Sequence, residues 1–143
     1  MKYIRIFELF DGDVYDVKLD EHEDYQGDRP CEVYRYSFVT KNGVEYHVSI
    51  AIKNKSEAKI DFSSGGENPD HRSFINLINT GDAIKVFNTL KSIIEKHKSE
   101  IKKLIMNSSP DRIRFYKRML DHMKIRNELD PTYGGSMLYG YLD

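Results

Sequence analysis

The hydrophobic period changes part-way along this chain. Val44, Tyr46, Val48, Ile50 and Ile52 alternate strictly with Glu45, His47, Ser49 and Lys53. A period of two places each set on its own face of a strand. Upstream, Tyr34, Tyr36 and Phe38 share one face of a strand over Glu32 to Thr40. Asn42-Gly43 between the runs is a strong hairpin signal, because tight hairpin turns need positive φ. Another strand is expected over Ala58 to Phe62, after the turn-like Lys53-Asn54-Lys55-Ser56. The three strands make a meander.

The flanks are less regular. Lys2 to Phe10 alternates poorly and reads as an edge strand or a short helix. Val14 to Leu19 reads as a short strand with Tyr15, Val17 and Leu19 on one face, and Asp20 to Pro30 as a solvated loop. Ser63 to His71 reads as a second loop. Beyond it the period becomes helical. Ala83, Phe87, Leu90 and Ile94, with Ile84, Val86, Ile93 and His97 beside them, predict a helix from about Asp82 to Lys98. Ile101 to Met106 is short and apolar, as a buried strand would be. Ser109-Pro110-Asp111 reads as a helix start, with Ser at the cap, Pro in the first position and Asp in the first turn. Ile113, Tyr116, Met119, Leu120 and Met123 give that helix its apolar stripe. Asp130 to Gly135 is a turn region, and Met137 to Leu142 reads as a last strand. The fold expected is α+β: an antiparallel strand meander followed by helix–strand–helix, in a single domain over 1–143.

Length and composition agree with one hydrated core: 143 residues, 39% apolar and 31% charged. The N-terminus alternates and carries charge, unlike a signal peptide, and no apolar run approaches a membrane span. The lone Cys31 cannot form an internal disulfide, so a cytoplasmic setting is expected. His22 is the only histidine near it in sequence, and Cys31 reads as a small half-buried residue at a strand start.

Charge changes the picture more. The net value of −1 hides a split. Met1 to Ala83 carries 10 Lys/Arg against 16 Asp/Glu, Ile84 to Arg126 carries 12 against 4, and the remainder adds three acids. Such a split marks an anionic partner, or halves of one domain that attract each other. The basic positions with a shared exposed helical face are Arg114, Lys117 and Arg118. Together with Arg112 they are the candidate partner-binding set, with nucleic acid as one possible partner through phosphate contacts. The alternative is an ordinary solvated helix face.

Other chemistry is incomplete. Asp11-Gly12-Asp13 lacks the later ligand positions of a calcium loop, since Tyr15, Asp16 and His22 fall where an acid or amide, Gly and Glu are needed. His22, His47, His71, His97 and His122 have no one-turn spacing, and no Cys-x-x-Cys exists. Ser64-Gly65-Gly66 and Gly134-Gly135 lack phosphate-loop spacing. No metal and no cofactor are expected.

Three short motifs recur in order: Phe38-Val39-Thr40-Lys41-Asn42-Gly43-Val44-Glu45-Tyr46, then Thr80-Gly81-Asp82-Ala83-Ile84-Lys85-Val86-Phe87, then Ser109-Pro110-Asp111-Arg112-Ile113-Arg114-Phe115-Tyr116. On these, the stretch from about Tyr36 to Met123 resembles a group of uncharacterised proteins encoded by tailed phages. The resemblance implies a phage origin and the host cytoplasm, and no activity. The element order also resembles the C-terminal part of a GNAT acetyltransferase. That resemblance implies a helix N-terminus that holds acetyl-CoA pyrophosphate, here at Gly81, Asp82 and Ala83, and a general acid at Tyr116. Gly81 and Ala83 fit the family motif Gln/Arg-x-x-Gly-x-Gly/Ala. Ile78 replaces its first residue, and Asp82 brings a negative charge to an anion site. Tyr116 also lies on the apolar stripe of its own helix, a core position.

The reading that follows is a non-enzymatic phage accessory protein that binds a host or phage macromolecule, most naturally a protein, with no membrane role. The alternatives are a small GNAT-type acyltransferase and a nucleic-acid-binding module.

Overall fold

The computed structural model describes residues 14–41, 43–54, 56–64 and 83–142. Among these, seven strands form one mixed sheet, and two α-helices pack on it. Strands β1 (Lys18–Tyr25), β2 (Cys31–Val39), β3 (Glu45–Lys53) and β4 (Glu57–Ser64) form an antiparallel meander. Helix α1 (Ala83–Lys96) leads to β5 (Lys103–Asn107), and α2 (Pro110–His122) leads to β6 (Arg126–Leu129) and β7 (Met137–Tyr141). The sheet order is β1-β2-β3-β4-β5-β7-β6, and β4 with β5 is its parallel pair of neighbours. The fold is therefore α+β.

The expected stripes become the core. Tyr36, Phe38, Tyr46, Val48, Ile50, Ile52, Ala58, Ile60 and Phe62 are all buried on one face of the meander. Gly43, at φ +81°, closes the β2–β3 turn by donating its N–H to the Thr40 carbonyl at 2.9 Å. Leu104, Met106 and Leu138 continue the buried face across β5 and β7.

Both helices lie on that same face. The Phe87 ring of α1 is 5.4 Å from the Phe115 ring of α2, and Phe115 is 6.4 Å from Phe62 of β4. Topology explains the sharing. The β4-to-β5 and β5-to-β6 connections both link parallel strands and step the same way across the sheet, so one handedness puts both helices on one side. Ser109 caps α2 by accepting from the Arg112 N–H, with Pro110 at the first position, as its sequence predicts.

Four expectations need correction. Val14 to Val17 precedes the first strand, and Leu19 is 49% exposed rather than facing in with Tyr15. Asp20 to Tyr25, expected as loop, is most of β1. An edge strand needs only backbone pairing on one side, and charge on it guards against stray pairing. A register shift between Leu19 and Glu21 adds to that guard. Ile84, placed beside the apolar face of α1, is 53% exposed. Finally, β6 was not anticipated, because Arg126-Asn127-Glu128-Leu129 is short, polar and at the other edge. Lys2 to Phe10 lies outside the described residues.

Candidate functional site: the wedge between strands 4 and 5 and the basic helical layer

Strands β4 and β5 pair only at Glu57–Lys103, Ala58–Leu104 and Lys59–Ile105. Ser56 is the start of that ladder, where its carbonyl accepts from the Lys102 and Lys103 N–H groups at 2.8 and 3.1 Å. Beyond Lys59 no β5 residue pairs with β4, although β4 runs on to Ser64. Backbone carbonyls alternate in direction, so Phe62, six residues on from Ser56, turns its carbonyl toward this unpaired side. The Tyr116 hydroxyl donates to it at 3.1 Å. A side chain from α2 thus replaces the missing rung.

Tyr116 is 4% exposed. Burial pushes its phenol up, to about 12, with the Asp61 carboxylate adding to the rise and Arg112 opposing it. It is a neutral donor already committed to a backbone carbonyl. The residue predicted as general acid is therefore found at its core position, inside the wedge. Of the predicted cofactor loop, Gly81 and Asp82 lie outside the described residues, and Ala83 is the first residue of α1.

The predicted partner-binding residues share α2 but differ in their engagement. Arg114 pairs with Asp111, one turn before it. Lys117 donates to Asn127 Oδ1 at 2.8 Å and lies 3.9 Å from Asp121 Oδ1. Asn127 in turn donates to Asp121 at 2.8 Å, so β6 and the end of α2 are tied by one small polar network. Arg112 is half-buried beside Tyr116. Arg118 is exposed. Acids on α2 thus offset much of the charge of this face.

The sequence split is also a spatial one. Exposed Asp20, Glu21, Asp24 and Asp28 follow β1 and its hairpin, whereas exposed Lys96, Lys98, Arg114 and Arg118 follow the helical layer. The Arg35 contacts with Glu21 and Glu23, at 3.0 and 2.8 Å, lie within the acidic half. The Arg114 and Lys117 contacts lie within the basic half, so none of these pairs joins the two.

A polar aromatic cluster went unrecognised in the sequence. Buried His97, just past α1, has its Nε2 2.7 Å from the Tyr36 hydroxyl and its Nδ1 3.1 Å from Glu100 Oε2. Its ring also meets Tyr34 at 4.3 Å, and Tyr34 stacks on His22 at 4.2 Å. Burial raises the Tyr36 phenol, and the Glu100 charge adds to it. The three-residue step from His97 to Glu100 was visible, but Tyr36 is 61 residues away.

Cys31 opens β2 half-buried, as expected. Among the described residues no group of His, Cys, Asp or Glu is arranged to hold a metal ion. No helix there is long and apolar enough to cross a membrane. No protein-family model, curated protein or solved structure matches the chain.

Proposed function

We infer that the chain is a non-enzymatic accessory protein of phage origin, acting in the host cytoplasm by binding a host or phage macromolecule through its basic helical layer. The observation behind this reading is the commitment of Tyr116. A general acid must reach a substrate atom. This hydroxyl instead completes the β4–β5 wedge and is sealed in the core. On its solvent side the helical layer exposes Arg114, paired with Asp111, and Arg118.

Capture experiments from host lysate test the reading, comparing wild type with the Arg114→Glu/Arg118→Glu variant. The expected result is a defined partner held by wild type and lost by the variant. A partner profile identical to bare beads overturns it.

The divergence of β4 and β5 favours a second reading. Open sheets take ligands beyond the carboxyl ends of parallel strands, and these two parallel strands stop pairing after Lys59 and Ile105, toward their carboxyl ends. With the GNAT-like element order, this supports a small acyltransferase that holds acetyl-CoA at Gly81, Asp82 and Ala83 and uses Tyr116 as acid. A bound cofactor at a hundred times its Kd stabilises the fold by about 2.7 kcal/mol, which a melting curve reads easily. The first reading expects no shift with acetyl-CoA. A shift, with turnover lost in Tyr116→Phe, replaces it by the second.

A further inference from the structure

A separate feature lies where the C-terminal ends of α1 and α2 approach β7. A pocket of about 210 Å³ is walled by Ile94, Met123, Ile125 and Leu142. Lys91, Lys98 and Lys124 also line it, against one acid, Glu95. Lys98 and Lys124 are exposed, and neither side chain has an ion-pair partner among the described residues.

The backbone at Lys124 is unusual. Its N–H donates to the Asp121 carbonyl at 3.0 Å, and the Ile125 N–H donates to the Leu120 carbonyl at 2.9 Å. This pair of bonds is a Schellman close, and Lys124 occupies its left-handed position at φ +61°. Glycine or asparagine usually sits there, because a larger side chain crowds the neighbouring carbonyl. The chain has a lysine where glycine would be the more stable choice, beside a pocket of mixed apolar and charged lining. Strain of this kind gathers at functional positions. A cation past a helix C-terminus also offsets the helix dipole. That effect accounts for charge at Lys98 and Lys124, but not for the hollow they flank, with Ile94, Met123, Ile125 and Leu142 in its walls.

We propose that this pocket docks an acidic peptide segment of a partner protein through one apolar anchor side chain. The proposal rests on the binding reading above and gives that partner a chemistry. Exposed Lys98 and Lys124 on the rim complement acidic residues. The volume falls below the roughly 300–1,000 Å³ of small-molecule sites and suits a single Leu- or Phe-sized group. Partner anchors in such pockets carry much of an interface's binding energy. Nucleic acid would use the lysines but leave the apolar walls unfilled.

The test is selection of a displayed random-peptide library on the immobilised full chain, followed by fluorescence anisotropy with the enriched peptides. Enriched peptides should combine an apolar anchor with flanking Asp or Glu, and replacing the anchor by Ala should abolish binding. Lys98→Ala/Lys124→Gly should weaken binding about tenfold, the combined effect of losing two exposed ion pairs. Lys124→Gly alone should raise Tm by about 2–4 °C, because it relieves the left-handed backbone. Affinity that falls while stability rises separates a docking role from a structural one. Enriched peptides without acids, or affinity that ignores the lysine variants, overturn the pocket and leave the binding reading standing. Failure of any peptide to enrich also overturns the pocket, and the lysate capture then decides the broader reading by itself.

Discussion

Helix α2 meets the sheet at Gly140, where an added Cβ would lie 3.1 Å from Leu120 Cδ1 and 3.4 Å from Leu104 Cδ1. The end of α1 meets the same sheet through His97, whose Nε2 lies 2.7 Å from the Tyr36 hydroxyl. Leu120 and Leu104 are fully buried and apolar, so the first contact depends on volume alone. The second depends on hydrogen bonds. Glu100 at Nδ1 favours the tautomer with hydrogen there, which leaves Nε2 to accept from Tyr36. One sheet face therefore holds its helices by different physics, and the two ends should fail differently.

The largest effect is expected at the dry end. Leu120→Ala should cost about 2–5 kcal/mol, read as a lower urea midpoint at unchanged slope. Gly140→Ala places a methyl against that same side chain. Its penalty in wild type should shrink or reverse in the Leu120→Ala background, because the cavity receives the methyl. Strict additivity in this cycle would show that the two positions do not share a packed contact.

At the polar end, His97→Phe keeps a ring against Tyr34 but removes the acceptor for the Tyr36 hydroxyl. A buried donor left unpaired costs about 1–3 kcal/mol. His97→Gln retains an amide oxygen and should recover part of that loss. Greater destabilisation by Gln than by Phe would mean that ring volume, not the hydrogen bond, holds this end.

The contrast also explains what could be read from the sequence. The meander was legible because β2, β3 and β4 are half-buried, and a half-buried strand must alternate. Helix α2 was legible from Ser109, Pro110 and its stripe, though Phe115 was missed from the buried set. Strands β1 and β6 were not, because an edge strand pairs through backbone and leaves its side chains free to be charged. The His97 contact was hidden because neither Tyr36 nor His97 changes the local period. At the candidate site, the stripe through Tyr116 pointed to the core, where it lies. The basic face of α2 was legible as charge, but the hydrogen bond from Lys117 to Asn127 was not, because Asn127 comes from a strand the pattern did not reveal.

Tyr116 combines the two kinds of contact, with an apolar ring and a committed hydroxyl. Tyr116→Phe should cost about 0.5–1.5 kcal/mol at neutral pH, the net worth of one hydrogen bond. It should also change the alkaline limb. The folded phenol is pushed up to about 12 by burial, whereas an unfolded tyrosine ionises near 10. Stability from the neutral phenol is therefore complete below about pH 10 and is lost as pH rises toward 12. Denaturant midpoints across pH 9 to 12 should fall less steeply in Tyr116→Phe. An unchanged slope would place the alkaline sensitivity elsewhere, for example at Tyr139, whose phenol Asp130 also holds up to about 12.

The smallest effect is expected at that last pair, on the solvent side of β7. Asp130 accepts from the Thr132 N–H and from the Tyr139 hydroxyl, each at 2.8 Å, at the start of the short 3-10 turn Pro131–Tyr133. These donors hold its carboxyl below the usual range, the Thr132 N–H most of all. A depressed carboxylate contributes stability above its unfolded value of about 3.9, and loses it as pH falls through the folded value. Asp130→Asn keeps an oxygen for Thr132 but cannot titrate. Melting temperatures measured from pH 5 down to pH 2 should therefore decline less steeply in the variant, by a small margin because the site is hydrated. Parallel acid limbs for variant and wild type would show that the turn does not depend on the charge.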